Sequence, residues 1–308
     1  MLQGLGVRLG YSAGTGLSRV AEVRDEVAWA DDAGFHSFWL SQIFGVDPLV
    51  ALAAVGSSAS RLEELGTSVV PLTGRHPLAL AAQARTLQSA LDGRFTLGIG
   101  ASHQIVSEGF FGEPYANAFA RTREFLAALM PLLAGEPVDV EGAHIFAKGW
   151  LEIEAAPVPV LLAALGPQML DLAGRVTEGT SLGSCGPRTI SSFIVPTIQA
   201  AALDAGRPAP RIVALVGVCA TGDVVRLRAG VREQNVMYDS FASYRGALDR
   251  EGVESGADLL VAGSEMEIID GLRRYVDAGV TDLRISIVAR TQDERAGTKE
   301  FLAHALRQ

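Results

Sequence analysis

The sequence is poor in several features that would each point to a particular class of protein. It has two cysteines in 308 residues, Cys185 and Cys219, and neither forms a C-x-x-C pair or lies near a histidine cluster. This gives neither a disulfide framework nor a zinc pattern, and it is typical of a reducing compartment. No segment approaches the roughly 18 uninterrupted apolar residues of a membrane span, and no signal peptide is recognisable. We therefore expect a cytoplasmic protein without a membrane anchor.

Positive charge is also scarce. Lys and Arg number 26 against 35 Asp and Glu, which gives a formal net charge of −9. Because no run of basic residues offers a footprint for a phosphate backbone, nucleic acid is not an expected partner. Hydrophobic residues make up 48% of the chain, so burial can offset the entropy lost on ordering it. We expect a folded protein whose partner is a small molecule.

What the sequence does have is a regular alternation of strands and helices. Short apolar strands begin near Leu5, Phe35, Leu65 and Arg94. These starts are about 30 residues apart, the length of one strand and a crossover helix. The pattern continues to an eighth strand, "DLRISIVA", near the C-terminus. It predicts an α/β fold, a (β/α)8 TIM barrel forming one domain over residues 1–308, with a doubly wound open sheet as the alternative.

Capping signals mark the predicted helices. Ser18 is a possible N-cap and Gly34 a stop for the first helix, while Asp47 and Pro48 suit the N-cap and first turn of the second. His76 precedes a third helix that opens with proline, so a cap is its expected role.

Two stretches break the rhythm and predict insertions after strands 4 and 7. Residues 136–157 alternate like an antiparallel hairpin with a turn at Glu141 and Gly142. Residues 236–257 are expected to be irregular. The segment "DLLVAG" from Asp258 is spare, and we expect it to lead into a helix without joining the barrel.

Small residues end two of the predicted strands, where a barrel of this kind has its active site. Gly98 and Gly100 close the fourth strand, although a strand built for packing alone has no use for glycine, so a ligand could approach the backbone there. Gly166 and Pro167 open the next helix, whose free N–H groups could bind a phosphate. The alternative is that both are tight turns. The spacing is not the complete G-x-G-x-x-G of a dinucleotide site, and no Asp, Glu and His cluster predicts a metal.

Five segments, in order, resemble the luciferase-like flavin and deazaflavin oxidoreductases. They are "GFHSFWLSQIFGVDPLVALAAVG", "LGTSVVPLTGRHPLALAAQARTLQSALDGRFTLGIGASH", "RTREFLAALMPLLAGE", "PVPVLLAALGPQMLDLAGRVTEGTSLG" and "LVAGSEMEIIDGLRRYVDAGVTDL". The chain is most similar to the branch that uses coenzyme F420 and includes methylenetetrahydromethanopterin reductases.

The resemblance implies a coenzyme over the barrel mouth, F420 or alternatively FMN. In such enzymes the segment matching Ser68–Pro71 often carries a non-prolyl cis peptide behind the ring, and Gly98–His103 would follow the ring edge. Ala163–Pro167 with Gly179–Leu182 would hold the ribityl phosphate. The cofactor-binding residues predicted in this way are Ser12, Ser41, Gln42, Val69, Val70, Thr73, Gly98, Gly100, Ala101, Ser102, His103, Ala164, Gly166, Gly179 and Thr180.

One departure concerns the proton donor. Many relatives have an acidic residue followed by His after the second strand, where this chain has Gln42 and Ile43. The catalytic candidates are therefore His103, then Glu108, with Gln42 bound to the ring edge beside Ser41. His103 could instead cap its loop, and Glu108 could be a solvated charge. Arg75 could form a salt bridge or touch the coenzyme's acidic tail.

The resulting hypothesis is an F420-dependent oxidoreductase that moves a hydride between deazaflavin C5 and an organic substrate. An FMN-dependent monooxygenase and a non-catalytic flavin-binding protein are the alternatives. Tyr115, Tyr238 and Tyr244 could line the substrate cavity or pack at the surface. The family also implies a homodimer through the second and third helices, with which several small residues are compatible. These are Ala51, Ala53, Ala54, Gly56, Ala79, Ala81 and Ala82.

Overall fold

Eight parallel strands close into a barrel in this structure, a computed structural model that describes residues 2–42 and 44–308. The strands of the chain are β1 Arg8–Ser12, β2 Ser37–Leu40, β3 Glu64–Thr67, β4 Val70–Pro71, β5 Phe95–Gly100, β6 Val138–Glu141, β7 Phe146–Gly149, β8 Val160–Leu162, β9 Gly179–Leu182, β10 Arg211–Ala220, β11 Val261–Gly263 and β12 Asp282–Ile287. The ring runs β1-β2-β3-β5-β8-β9-β10-β12, and β12 pairs with β1. The predicted (β/α)8 barrel is confirmed, and the open sheet is wrong.

The helices cover the outside of this barrel. They are α1 Val20–Ala33, α2 Pro48–Val55, α3 Pro77–Ala90, α4 Gln104–Gly109, α5 Ala118–Ala134, α6 Pro167–Val176, α7 Pro187–Thr189, α8 Val195–Asp204, α9 Val224–Asp239, α10 Ala242–Glu251, α11 Glu265–Asp277 and α12 Gln292–Arg307. In the described part of the chain, none of them combines the length and the apolar character needed to cross a bilayer.

The helix ends follow their capping residues, with one exception. One carboxylate oxygen of Asp47 accepts from the N–H groups of Leu49 and Val50, and Pro48 fills the first turn of α2, as predicted. Gly34 ends α1 in the left-handed region at φ 94°. The prediction that Ser18 caps α1 is wrong, because the N-cap is the next residue, Arg19.

The additional elements lie after the fourth and seventh barrel strands, β5 and β10. The predicted hairpin is present, with β6 and β7 paired antiparallel. The prediction that residues 236–257 are irregular is wrong for most of that stretch, which contains the end of α9 and all of α10. The spare segment forms β11, outside the ring, and pairs with the end of β10 from Val218 to Ala220.

Charged and polar side chains fill the end of the barrel where the strands begin. Arg211 donates to Glu64 at 2.8 Å and to Asp282 at 2.6 Å, and Arg8 contacts both carboxylates. The Thr96 hydroxyl also donates to Glu64. This end of a TIM barrel is the one associated with stability, so the catalytic groups are to be sought at the opposite end.

Candidate active site

The opposite end of the barrel begins at the turn after β3. The peptide between Ser68 and Val69 is cis, as the family resemblance predicts. The Ser41 hydroxyl donates to the Ser68 carbonyl at 2.6 Å, and the Gln42 N–H donates to the Val69 carbonyl at 3.4 Å. These four residues are half-buried, so this turn forms part of the wall of the mouth.

The two glycines of β5 have a structural cause. A Cβ on Gly98 would lie 1.9 Å from the Thr67 carbonyl oxygen, which is too close for any side chain. A Cβ on Gly100 would lie 3.1 Å from the Val69 side chain and 3.2 Å from the Ala163 side chain, which is tighter than most Cβ contacts. The Thr67 hydroxyl also donates to the Gly98 carbonyl and accepts from the Gly98 N–H. For Gly98, the neighbouring strand is therefore sufficient to explain the glycine, and contact of a ligand with its backbone stays a prediction.

Gly179 and Thr180 lie elsewhere than predicted. They begin β9, with Gly179 paired to Arg211 at the lower end of the barrel, and Thr180 is fully buried with its hydroxyl on the Leu162 carbonyl. Because β9 has four residues and ends toward the mouth at Leu182, its first two residues lie near the opposite end of the barrel. The prediction that Gly179 and Thr180 lie at the mouth is therefore wrong. Only the residues after Leu182 reach the mouth.

The other predicted phosphate turn lies at the mouth. Gly166 is the N-cap of α6 and Pro167 its first residue. The N–H groups of Gln168 and Met169 therefore have no acceptor within the helix. Ala164 is buried, whereas Gly166 is half-buried. This turn has the donors that a phosphate requires.

Arg75 fixes the orientation of the Gln42 side chain. One guanidinium nitrogen of Arg75 donates to the Gln42 amide oxygen at 2.6 Å and to Asp47 at 3.1 Å, while the other donates to Gln83. Because the amide oxygen of Gln42 is occupied, its NH2 group is the part left to serve a ligand. The salt bridge considered for Arg75 is confirmed. The adjacent Ile43 lies outside the described residues.

His103 is held by aromatic rings from the second insertion. Its ring stacks on Phe241 at 4.3 Å and lies 5.2 Å from Tyr244. Burial lowers the pKa of His103, so the imidazole is neutral at pH 7. His103 occupies the N-cap position of α4 but makes no side-chain cap hydrogen bond, which does not support the capping alternative. Phe241 was missed because its contact joins residues far apart in sequence.

Three other candidates have side chains that are buried or hydrogen-bonded within the chain. The Thr73 hydroxyl is buried and bonded to Ser107 at 2.7 Å, and the Val70 side chain is fully buried in the hydrophobic core. Glu108 is exposed, and its two oxygens accept from the Gln104 amide and the Tyr115 N–H. Of these residues, Val70 retains only its backbone for a ligand.

The loop after β5 and the end of β1 lie where the sequence predicts them. Ala101 and Ser102 are half-buried, and the Tyr115 hydroxyl donates to the Ser102 carbonyl at 3.2 Å. Ser12 is buried at the end of β1.

His76 accepts a hydrogen bond from the Leu78 N–H at 3.3 Å and so acts as the predicted cap of α3. Among the described residues, no group of three or more His, Cys, Asp or Glu side chains could hold a metal ion.

Comparison with known proteins places this geometry in a family. The family model described as luciferase-like monooxygenase matches residues 4–282. The chain belongs to this family. The family resemblance predicted from the sequence is therefore confirmed.

Two relatives and one solved structure refine the comparison. A protein of Mycobacterium tuberculosis named as a coenzyme F420-dependent oxidoreductase is 30% identical, with 92% of this chain and 84% of that protein covered. An F420-dependent glucose-6-phosphate dehydrogenase of Rhodococcus hoagii is 28% identical, with 92% of each covered. The solved structure of an F420-dependent secondary alcohol dehydrogenase with an F420–acetone adduct has a TM-score of 0.80 at 19% identity, covering 98% and 99%. This last similarity shows the shared fold.

Proposed function

We propose that this chain is an F420-dependent oxidoreductase that exchanges a hydride between C5 of the deazaflavin and an organic substrate. The observation that carries the proposal is that the mouth residues include both a neutral amide held by Arg75, Gln42, and a desolvated neutral imidazole, His103. The relative named as F420-dependent, which is 30% identical over most of both chains, supports the choice of coenzyme.

The residues at the mouth fit such a coenzyme. The NH2 group of Gln42 can donate to an oxygen or nitrogen at the ring edge, and half-buried Ser41 lies beside it. The free N–H groups at the start of α6, from Gln168 and Met169, can hold the phosphate. When bound, the deazaflavin supplies the carbon that takes or gives the hydride.

His103 handles the proton in this proposal. When the substrate is oxidised, its hydride leaves with an electron pair and its proton passes to the neutral imidazole. In the reverse direction the protonated imidazole returns that proton. The lowered pKa of His103 keeps the accepting form populated at pH 7. Contact with Phe241 holds the ring in place and excludes water from one face.

The first experiment is a titration of the protein with F420 and, separately, with FMN, followed by fluorescence and calorimetry. We expect micromolar or tighter F420 binding and much weaker FMN binding. His103→Ala should retain the F420 affinity and lose about 100-fold in turnover with a reductase substrate panel. Tight FMN binding with oxygen consumption by the reduced flavin would favour the monooxygenase. Binding of F420 without any turnover would favour a non-catalytic binding protein.

The proposal includes a homodimer through the outer faces of α2 and α3. Val50 is 63% exposed there, and Ala53, Ala54 and Ala79 are exposed beside it. Three of the small residues that the sequence offers for this contact, Ala51, Gly56 and Ala81, are buried within the chain, so they cannot take part. Ala54→Arg should yield monomers in analytical ultracentrifugation. Val225→Arg, on the exposed face of α9, is the matched control and should leave the mass unchanged.

A further inference from the structure

A buried arginine lies in the middle of the barrel. Arg284 is 1% exposed and its guanidinium carbon is 5.5 Å from the centre of the Trp39 ring. The interior of a TIM barrel is usually filled by branched apolar side chains, so a charged group at this level needs a reason.

No carboxylate of the described residues forms a salt bridge with this arginine. At the lower end of the barrel, Arg8 and Arg211 are paired with Glu64 and Asp282, and Arg8 also contacts the exposed Glu63 at 3.5 Å. Arg284 stands outside this set of ion pairs. Its one hydrogen bond in the described structure runs from Nη2 to a backbone carbonyl at 3.2 Å.

Most of the donors of Arg284 are free. Within residues 2–42 and 44–308, Nε and Nη1 have no hydrogen-bond partner, and these atoms carry three of the five N–H groups of a guanidinium. Desolvation lowers the pKa of Arg284 to about 9, so the group is still a cation at pH 7. A buried cation without a partner destabilises a fold, and such groups are retained where a ligand completes them.

Arg284 lies nearer the mouth than the ion pairs of the lower end. Its carbonyl partner belongs to Leu182, the last residue of β9, and Arg284 lies two residues nearer the mouth than Asp282. Leu215 pairs in register with Arg284, and Ser286 is the next inward-facing residue of β12. Both Leu215 and Ser286 are partly exposed, whereas Arg284 is buried, so Arg284 lies at the inner limit of the opening.

We propose that Arg284 binds an oxyanion of the substrate, a carboxylate or a phosphate, at the floor of the barrel mouth. The site thereby selects negatively charged substrates and holds them below the hydride-transfer position. That the ligand is the hydride-exchanging substrate rests on the proposed function, whereas the oxyanion site itself rests on the unpaired guanidinium.

The test compares thermal unfolding of the full chain in sodium phosphate, sodium acetate and sodium chloride at constant ionic strength, with and without F420. We expect phosphate or acetate to raise the Tm of the wild type by several degrees over chloride, in a concentration-dependent way. The oxyanion that gives the larger rise identifies the group. In Arg284→Met the rise should disappear, while the Tm in chloride stays equal to or exceeds that of the wild type.

Arg85→Met is the matched control. Arg85 is also buried with a free Nε, but it lies on α3, and its guanidinium donates to the carbonyls of Leu133 and Ile153, outside the barrel. This variant should be less stable than the wild type and keep the full response to the oxyanion. If Arg284→Met does not fold, Arg284→Lys replaces it and should keep a reduced response, since it retains the charge.

Two results would overturn the proposal. One is a wild-type Tm that responds to neither oxyanion, with or without F420. The other is a response that survives unchanged in Arg284→Met or Arg284→Lys, which would mean an adventitious ion elsewhere on the surface. An oxyanion response in a protein that does not bind F420 would leave this site standing and reject the proposed function. F420 binding without an oxyanion response would leave the proposed function standing and reject the oxyanion site.

Discussion

The two ends of the barrel treat charge in opposite ways. At the end where the strands begin, Arg211 is paired with both Glu64 and Asp282, and Arg8 contacts the same two carboxylates. Nearer the mouth, Arg284 has no carboxylate partner among residues 2–42 and 44–308, and His103 is desolvated against aromatic rings. One end holds its arginines in ion pairs, whereas the other holds an arginine that forms none with the described residues.

This difference separates stability from function. Paired ions at the closed end join the first residues of several strands, Arg8, Glu64, Arg211 and Asp282. Unused donors at the mouth lower stability until a ligand takes them. Substitutions at the closed end should therefore change the free energy of unfolding, and substitutions at the mouth should change binding or pH dependence.

The largest effect is expected from Arg211→Met. Removing this guanidinium leaves Glu64 and Asp282, each about one-twentieth exposed, with Arg8 as their one remaining salt-bridge partner in the described part of the chain. Breaking a buried ion pair from one side typically costs about 3 kcal/mol of unfolding free energy. Urea denaturation measures it, and F420 affinity of the folded variant should not change.

An exposed arginine provides the control for this prediction. Arg175 is bonded to Asp171 and Asp204 on the surface, with 40% of its side chain exposed. Arg175→Met should therefore cost only about 0.5 kcal/mol. Equal losses in the two arginine variants, or a change in F420 affinity in Arg211→Met, would remove the distinction between the two ends.

The next effect concerns the support of Gln42. Arg75→Met should weaken F420 binding about tenfold, because the amide loses the donor that fixes its orientation and the site is no longer preorganised. Fluorescence titration measures the dissociation constant. Gln83→Met is the control, because it removes another Arg75 partner and leaves the contact with Gln42 intact. If both variants weaken binding equally, Arg75 does not act through Gln42.

A smaller effect is expected in the pH dependence. Burial lowers the pKa of His103, and the neutral imidazole is the active form for substrate oxidation. The rate kcat/KM should therefore fall only at a pH below the ordinary histidine value of about 6.5. Phe241→Ala admits water to the ring, so both the fall in rate and the His103 titration observed by NMR should move up toward that value.

The controls for the pH prediction lie on the same insertion. Val236→Ala changes an exposed residue of α9 and should leave the pH profile in place. A fall in rate that stays at the same pH in Phe241→Ala, while the NMR titration moves, would show that another group carries the proton.

The sequence was sufficient for the barrel and insufficient for parts of its mouth. Each barrel strand is buried by its neighbouring strands and by the helices, so it appears in the sequence as a short apolar run. The regular spacing of these runs is therefore enough to predict the order of strands and helices. By contrast, the reason for Gly98 lies in a carbonyl 31 residues away, and the contact between His103 and Phe241 exists only after folding. The sequence does carry a signal for Arg284 that the motif-based predictions did not use. Asp282, Arg284 and Ser286 alternate with apolar residues in β12, and this alternation indicates that the three polar residues share one face of the strand.

The smallest effect is expected from Glu108→Gln. Glu108 is the second candidate for the proton donor, but its carboxylate is exposed and accepts hydrogen bonds from Gln104, also on α4, and from the Tyr115 N–H that follows this helix. A glutamine keeps the oxygen that the Tyr115 N–H requires, so turnover with F420 should stay within about twofold of the wild type. His103→Ala, measured in the same assay, should lose about 100-fold. A large loss in Glu108→Gln with an intact pH profile for His103 would move the proton-transfer role to this loop and reduce the aromatic contact of His103 to packing.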